Sequence, residues 1–154
     1  QKNAVFDAAI RDGRKRFGRP RGRLLSRQDG VRPVVRLVRS GVPFYYLPDL
    51  DFGPDESIFV PFFGVQAATI PAVSRIARLA DAIVVPVVTK MLPSGGGYVV
   101  RIHPPLENFP TDDVVADTAR INAFIEARVR ELPEQYYWVH KRFKTRPPGE
   151  PRFY

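Results

Sequence analysis

The chain has 154 residues, 44% of them hydrophobic, which supports one domain with a packed core and leaves little room for two. It has no cysteine, so disulfide frameworks and thiolate chemistry are excluded, and no apolar run approaches the ~20 residues that span a bilayer. The net charge of +8 is lopsided: residues 1–40 carry twelve Lys/Arg against three Asp, whereas residues 41–154 carry twelve against thirteen.

In chain order, residues 4–17 read as a helix with Val5, Ala8, Ala9 and Ile10 toward the core, weakened by Gly13. Starting on Gln1, the chain is expected to enter its domain partway. A Gly/Pro/Arg loop follows at 18–22. Asp29 is the expected N-cap of a helix reaching Ser40, with Val31, Val34, Val35 and Val38 on one face, Pro33 tolerated in the first turn and Gly41 as the stop. The run 44–47, bounded by turn formers, reads as a buried strand, and Asp49 and Asp51 come just past its carboxyl end. Open α/β sheets place their ligand chemistry at that end of a strand. Carboxylates in so apolar a neighbourhood are paired or functional, or else one of them caps the following turn as an Asx residue. A second strand is predicted at 58–62.

Thr69 and Pro71 open the next helix, with Val73, Ile76, Ala77 and Ala80 inward and Arg75 and Arg78 outward. The run 83–88 has no alternation, as expected of a strand covered on both faces. After the turn 93–97, residues 98–102 return as its hairpin partner. Thr111 is the expected cap of a long helix, aided by Asp112 and Asp113 at the positive end of its dipole, with Val114, Thr118, Ile121, Ile125 and Leu132 as the buried stripe. Pro133 interrupts it, 134–143 is expected to form a last short helix, and 144–154 is irregular. The alternation of helices and strands predicts an α/β fold with a central mixed sheet covered by helices, in a single domain with a basic flank (1–40), a core (41–143) and a tail.

The chemistry has conspicuous gaps. His103 and His140 have no second His or any Cys at metal-ligand spacing, so neither a metal site nor a cofactor is expected. Gly95–Gly97 lies in a hairpin turn, the wrong context for a phosphate loop, and no nucleophile elbow is present. What remains is a strand-end carboxylate pair and an arginine-rich flank suited to an anionic partner, whether phosphorylated lipid, acidic protein or nucleic acid. A basic binding module over residues 11–39 is one reading; few aromatics interleave its cations, which disfavours a stacking platform for nucleic acid.

The second reading comes from likeness. The ordered set Phe6-Asp7, Gly13-Arg14, Ser26-Arg27-Gln28-Asp29, Tyr46-Leu47-Pro48-Asp49-Leu50-Asp51-Phe52-Gly53, Phe59-Val60-Pro61-Phe62-Phe63-Gly64-Val65 and Ala68-Thr69 resembles the late acyltransferases of lipid A biosynthesis, within the lysophospholipid acyltransferase superfamily. The run Pro133-Glu134-Gln135-Tyr136-Tyr137-Trp138-Val139-His140-Lys141-Arg142-Phe143-Lys144-Thr145-Arg146-Pro147 is similar to that family's ending. The resemblance covers nearly the whole chain and aligns with roughly the C-terminal half of a family member. It implies a glycerol-phosphate-acyltransferase-like fold, incomplete at the N-terminus. It also implies transfer of a fatty acyl chain from acyl carrier protein to a hydroxyl of a phosphorylated glucosamine lipid, at the cytoplasmic face of the bacterial inner membrane, with no nucleic-acid partner. Family members carry a catalytic His with an acid five residues on. Here the residues five after His103 and His140 are Asn108 and Thr145, so no catalytic residue is expected in this chain and the fragment is expected to be inactive alone. The resemblance assigns Arg14 and Asp49, with Asp51, to substrate binding or support of the site, and Phe62, Phe63 and Thr69 to the acyl pocket.

Overall fold

The computed structural model describes residues 3–16, 22–25 and 29–154. Phe17, most of the expected loop 18–22 and the motif residues 26–28 lie outside the described residues. Four α-helices and four strands follow in the order α1 (Ala4–Lys15), α2 (Val31–Arg39), β1 (Ile58–Phe62), β2 (Val65–Thr69), α3 (Ala72–Ala80), β3 (Val87–Met91), β4 (Tyr98–Ile102) and α4 (Val114–Glu131). The α/β class holds.

The central mixed sheet does not appear among the described residues. β1 pairs antiparallel with β2, and β3 with β4, as two separate ribbons. The connections explain this. Phe63 and Gly64 form a two-residue turn with φ of 51° and 75°, the geometry of a tight hairpin, and Phe62 pairs with Val65 across it. The β3–β4 turn is also short, and parallel pairing needs a crossover of about a dozen residues or more. The run 44–47 is not a strand: its backbone is irregular, and Phe44, Tyr45 and Leu47 are 41%, 76% and 51% exposed.

The core lies between the β1–β2 hairpin and α4. Phe62, Ala67 and Val129 are buried together, with Phe63, Ile125, Tyr136 and Phe143 packed around them. α4 starts two residues later than the Thr111 cap implied. Asp113 Oδ1 accepts the Val115 and Ala116 amides, both at 2.9 Å. Thr111 turns inward instead, its amide and hydroxyl donating to the buried Asp117 carboxylate, which also accepts Ser74 Oγ at 2.6 Å and so pins α3 to α4. The apolar stripe of α4 is therefore interrupted by polar groups with assigned partners. The expected helix at 134–143 resolves into two 3-10 turns, Pro133–Gln135 and Trp138–His140.

α1 is capped by Asn3, whose Oδ1 accepts the Phe6 amide at 3.0 Å, yet it buries none of its residues and Val5 is 81% exposed. α2 begins after Gly30 at φ 71° rather than at an Asp29 cap, and packs Val34 inward near α3. The run 83–88 is covered on one side only. Ile83, Val85 and Val87 are exposed while Val84, Pro86 and Val88 are half-buried, and amides of His103 and Leu106 bond the carbonyls of Pro86 and Val84 to extend the ribbon.

Candidate functional site

The two carboxylates past residue 47 sit on a loop held from the far end of the chain. Asp51 is 5% exposed. Its Oδ1 accepts the Gly53 amide at 2.9 Å, an Asx turn with Gly53 at φ 98°. The same oxygen accepts the Thr145 hydroxyl at 2.8 Å, and Oδ2 accepts the Thr145 amide at 2.9 Å. A side chain 94 residues away thus fixes the turn that carries Asp49. The capping role considered for Asp51 is the one the structure assigns.

Arg142 is the centre of this region. It is completely buried, its Nη1 donating to the Ala68 carbonyl at 2.7 Å and Nη2 to Thr69 Oγ1 at 2.6 Å. Its guanidinium lies 5.3 Å from the centre of the Phe62 ring, a cation–π contact on the core side. Burial of a cation costs free energy unless opposite charge and hydrogen bonds compensate. Desolvation pulls the Arg142 pKa down, and Tyr136, Asp49 and Asp51 oppose it. Burial pushes the Tyr136 hydroxyl well above the usual tyrosine range, with the Asp49 carboxylate adding to the rise and Arg142 opposing it. Tyr136 Oη and Arg142 Nε are both buried without a well-formed hydrogen bond. Asp49, Tyr136 and Arg142 thus form one electrostatically coupled group, with Asp51 at its edge.

Thr69 links this group to the helix layer. Its hydroxyl accepts from Arg142 and from Asn122 Nδ2 at 3.3 Å, and the same Asn122 nitrogen donates to the Pro61 carbonyl at 3.1 Å. At the other end of the hairpin, the Phe63 amide donates to Glu126 at 2.6 Å. Arg130, and then that amide, hold the Glu126 carboxyl below the usual glutamate range.

The structure sorts the predicted site residues into two places. Asp49, Asp51 and Thr69 meet around Arg142. Phe62 is 0% exposed and Thr69 1%, so in this structure one fills the core and the other is a polar junction. Phe63 sits half-buried in the hairpin turn, edge-on to Phe62 and beneath Arg130. Arg14 is exposed on α1, and no described contact joins it to Asp49. The arginine beside Asp49 is Arg142. Sequence reasoning passed over Arg142 and gave no site role to Tyr136 or Thr145, although all three lie in the aromatic run 133–147. The available signal was the Lys141-Arg142 pair set between Trp138 and Phe143 in an otherwise aromatic run.

The sequence matches the bacterial lipid A biosynthesis acyltransferase family over residues 1–145. It is 40% identical over 150 residues to the lipid A biosynthesis myristoyltransferase of Escherichia coli (strain K12), covering 97% of this chain and 46% of that protein. It is 38% identical over 151 residues to the lipid A biosynthesis lauroyltransferase of the same organism, with 96% and 49% covered. A lipid A biosynthesis acyltransferase of Haemophilus influenzae is 39% identical over 149 residues, with 97% and 45% covered. The chain spans about half the length of the curated relatives it matches. Its match along nearly its whole length places it in the bacterial lipid A biosynthesis acyltransferase family.

Proposed function

We propose that this chain forms the acceptor-side half of an enzyme that moves a fatty acyl chain from acyl carrier protein to a hydroxyl of a phosphorylated glucosamine lipid. The family match over residues 1–145 carries this reading. In such a transfer a His polarised by a carboxylate removes the acceptor proton as the oxygen attacks the thioester carbonyl; the C–S bond then breaks, and the leaving thiolate of the carrier takes the proton back from the imidazolium. That base is assigned to a segment outside the 154 residues, because neither His103 nor His140 has an acid five positions on.

Within the chain, the Asp51–Thr145 clamp supports a fixed position for Asp49, and Arg142 sets an opposite charge beside it. Asp49 then orients the acceptor sugar, and Arg14, on the exposed basic flank, meets a phosphate of the same lipid. The site works at the cytoplasmic face of the inner membrane; no described helix is long and apolar enough to cross it.

The test is transfer of radiolabelled acyl groups from acyl carrier protein to a phosphorylated glucosamine lipid. Turnover is expected when the chain is joined to the His-bearing half of a curated relative and absent from the 154 residues alone. Turnover by the 154 residues alone would overturn the placement of the base, and inactivity of a folded joined protein would overturn the acyl-transfer reading.

A further inference from the structure

Among the described residues, some arginines are paired with a carboxylate and others are not. Arg11, Arg78, Arg128, Arg130 and Arg146 each face a carboxylate: Asp7, Asp112, Glu131, Glu126 and Glu150. Arg32, Arg36 and Arg39 do not; all three are exposed and make no ion pair with a described residue. They recur at intervals of four and three along α2. At 100° per residue this confines them to a stripe about 60° wide, and the row is about 10 Å long. Beside it runs an open groove of about 370 Å³, floored by Val31 and Val35 of α2 and Leu79 of α3. Arg39 also lines a second hollow of about 520 Å³, together with Gly41 and Asp81.

A row of unneutralised guanidinium groups beside an apolar floor is complementary to an amphipathic helix whose carboxylates recur at the same spacing and whose apolar residues lie next to them. A single phosphate would engage one end of a row this long. We propose that the α2–α3 groove is the docking surface for an acidic helix of the acyl-carrier protein, holding the donor while the thioester reaches the reaction centre. This rests on the carrier protein being the acyl donor, as assigned above.

The experiment measures binding of acyl carrier protein bearing no acyl chain, by calorimetry at low and high salt, so that it reads docking and not transfer. Wild-type chain is expected to bind, with affinity falling as salt rises. Exposed ion pairs of this kind change affinity by about threefold each, so Arg32→Ala, Arg36→Ala and Arg39→Ala together are expected to weaken binding about thirtyfold. Arg101→Ala, an exposed arginine on β4, is expected to leave it unchanged, and circular dichroism confirms that every variant is folded. Equal binding by the triple variant, an equal loss in Arg101→Ala, or no binding by the wild type would overturn the proposal. So would loss of binding to phosphatidylethanolamine–phosphatidylglycerol vesicles with the carrier unaffected, which would make the row a lipid contact. Arginine-dependent binding in a joined protein that fails to transfer acyl groups would refute the reaction and leave the docking surface standing.

Discussion

Arg142→Met is the most informative single change. Methionine keeps the stem that packs on Phe62 and deletes the guanidinium. Two short hydrogen bonds disappear, to Ala68 O at 2.7 Å and Thr69 Oγ1 at 2.6 Å. Hydrogen bonds from a charged donor are worth about 1.5–3 kcal/mol each, so the gross loss is about 3–6 kcal/mol. Removing the buried, unpaired Nε returns about 1–3 kcal/mol, which leaves a net cost of about 3 kcal/mol. That agrees with the roughly 3–5 kcal/mol for breaking a buried charge pair from one side. Urea unfolding followed by circular dichroism and by the single tryptophan, Trp138, is the assay. With a slope of about 2 kcal/mol per molar, the midpoint is expected to fall by about 1.5 M. Asp49→Asn is then expected to cost less in the Arg142→Met background than in the wild type, by about 1 kcal/mol or more. A midpoint shift under about 0.5 M with additive effects of the two substitutions would refute the claim that this cation holds the Asp49 loop and the hairpin together.

Thr145→Val deletes the hydroxyl bond to Asp51 and spares the amide bond, so a loss of about 1–2 kcal/mol in urea is expected, rising if the Asx turn opens. Gly64→Ala meets no atom within 4 Å, so its cost is purely that of holding φ at 75°, about 1 kcal/mol by the same measurement. Tyr136 has a folded pKa raised by burial and by Asp49, so its stabilising contribution is complete below the usual tyrosine pKa and is lost as pH rises beyond it. Stability is therefore expected to hold to about pH 10 and decline above it, and Tyr136→Phe to shallow that decline. Glu126 is the opposite case. Its lowered pKa gives stability present above the glutamate range and lost as pH falls through it, and Glu126→Gln is expected to flatten that acid limb in a stability titration.

The parts of the fold that were legible in the sequence are those specified by neighbours. The apolar run 58–62, the 98–102 return strand and the helix from 114 onward carry local patterns that their surroundings do not override. The Phe63-Gly64 pair supplies the tight turn, though the sequence reading stopped short of naming β2. The run 44–47 misled because an extended apolar segment becomes a strand only when another backbone accepts its hydrogen bonds, and pairing partners leave no mark in local composition. Asp51 was half legible, since an Asx turn is a contact over two residues, whereas its tie to Thr145 spans 94. Arg142 was the deepest miss. Its charge argues for the surface, and the convergence of Ala68, Thr69, Tyr136 and the carboxylates of Asp49 and Asp51 in space makes the interior tolerable.

The clamp between the first and last thirds of the core sets a schedule for biosynthesis. The β1–β2 hairpin is complete as a local unit once residue 69 has left the ribosome, but Ala68 and Thr69 then wait for a side chain 74 and 73 residues downstream. During translation at about 5–20 residues per second, that interval lasts several seconds. Through it the nascent hairpin presents Phe62 without its cationic lid. Shortening the chain before residue 142 would make that passing state permanent, so a stop codon at position 142 would leave a product fit for proteolysis.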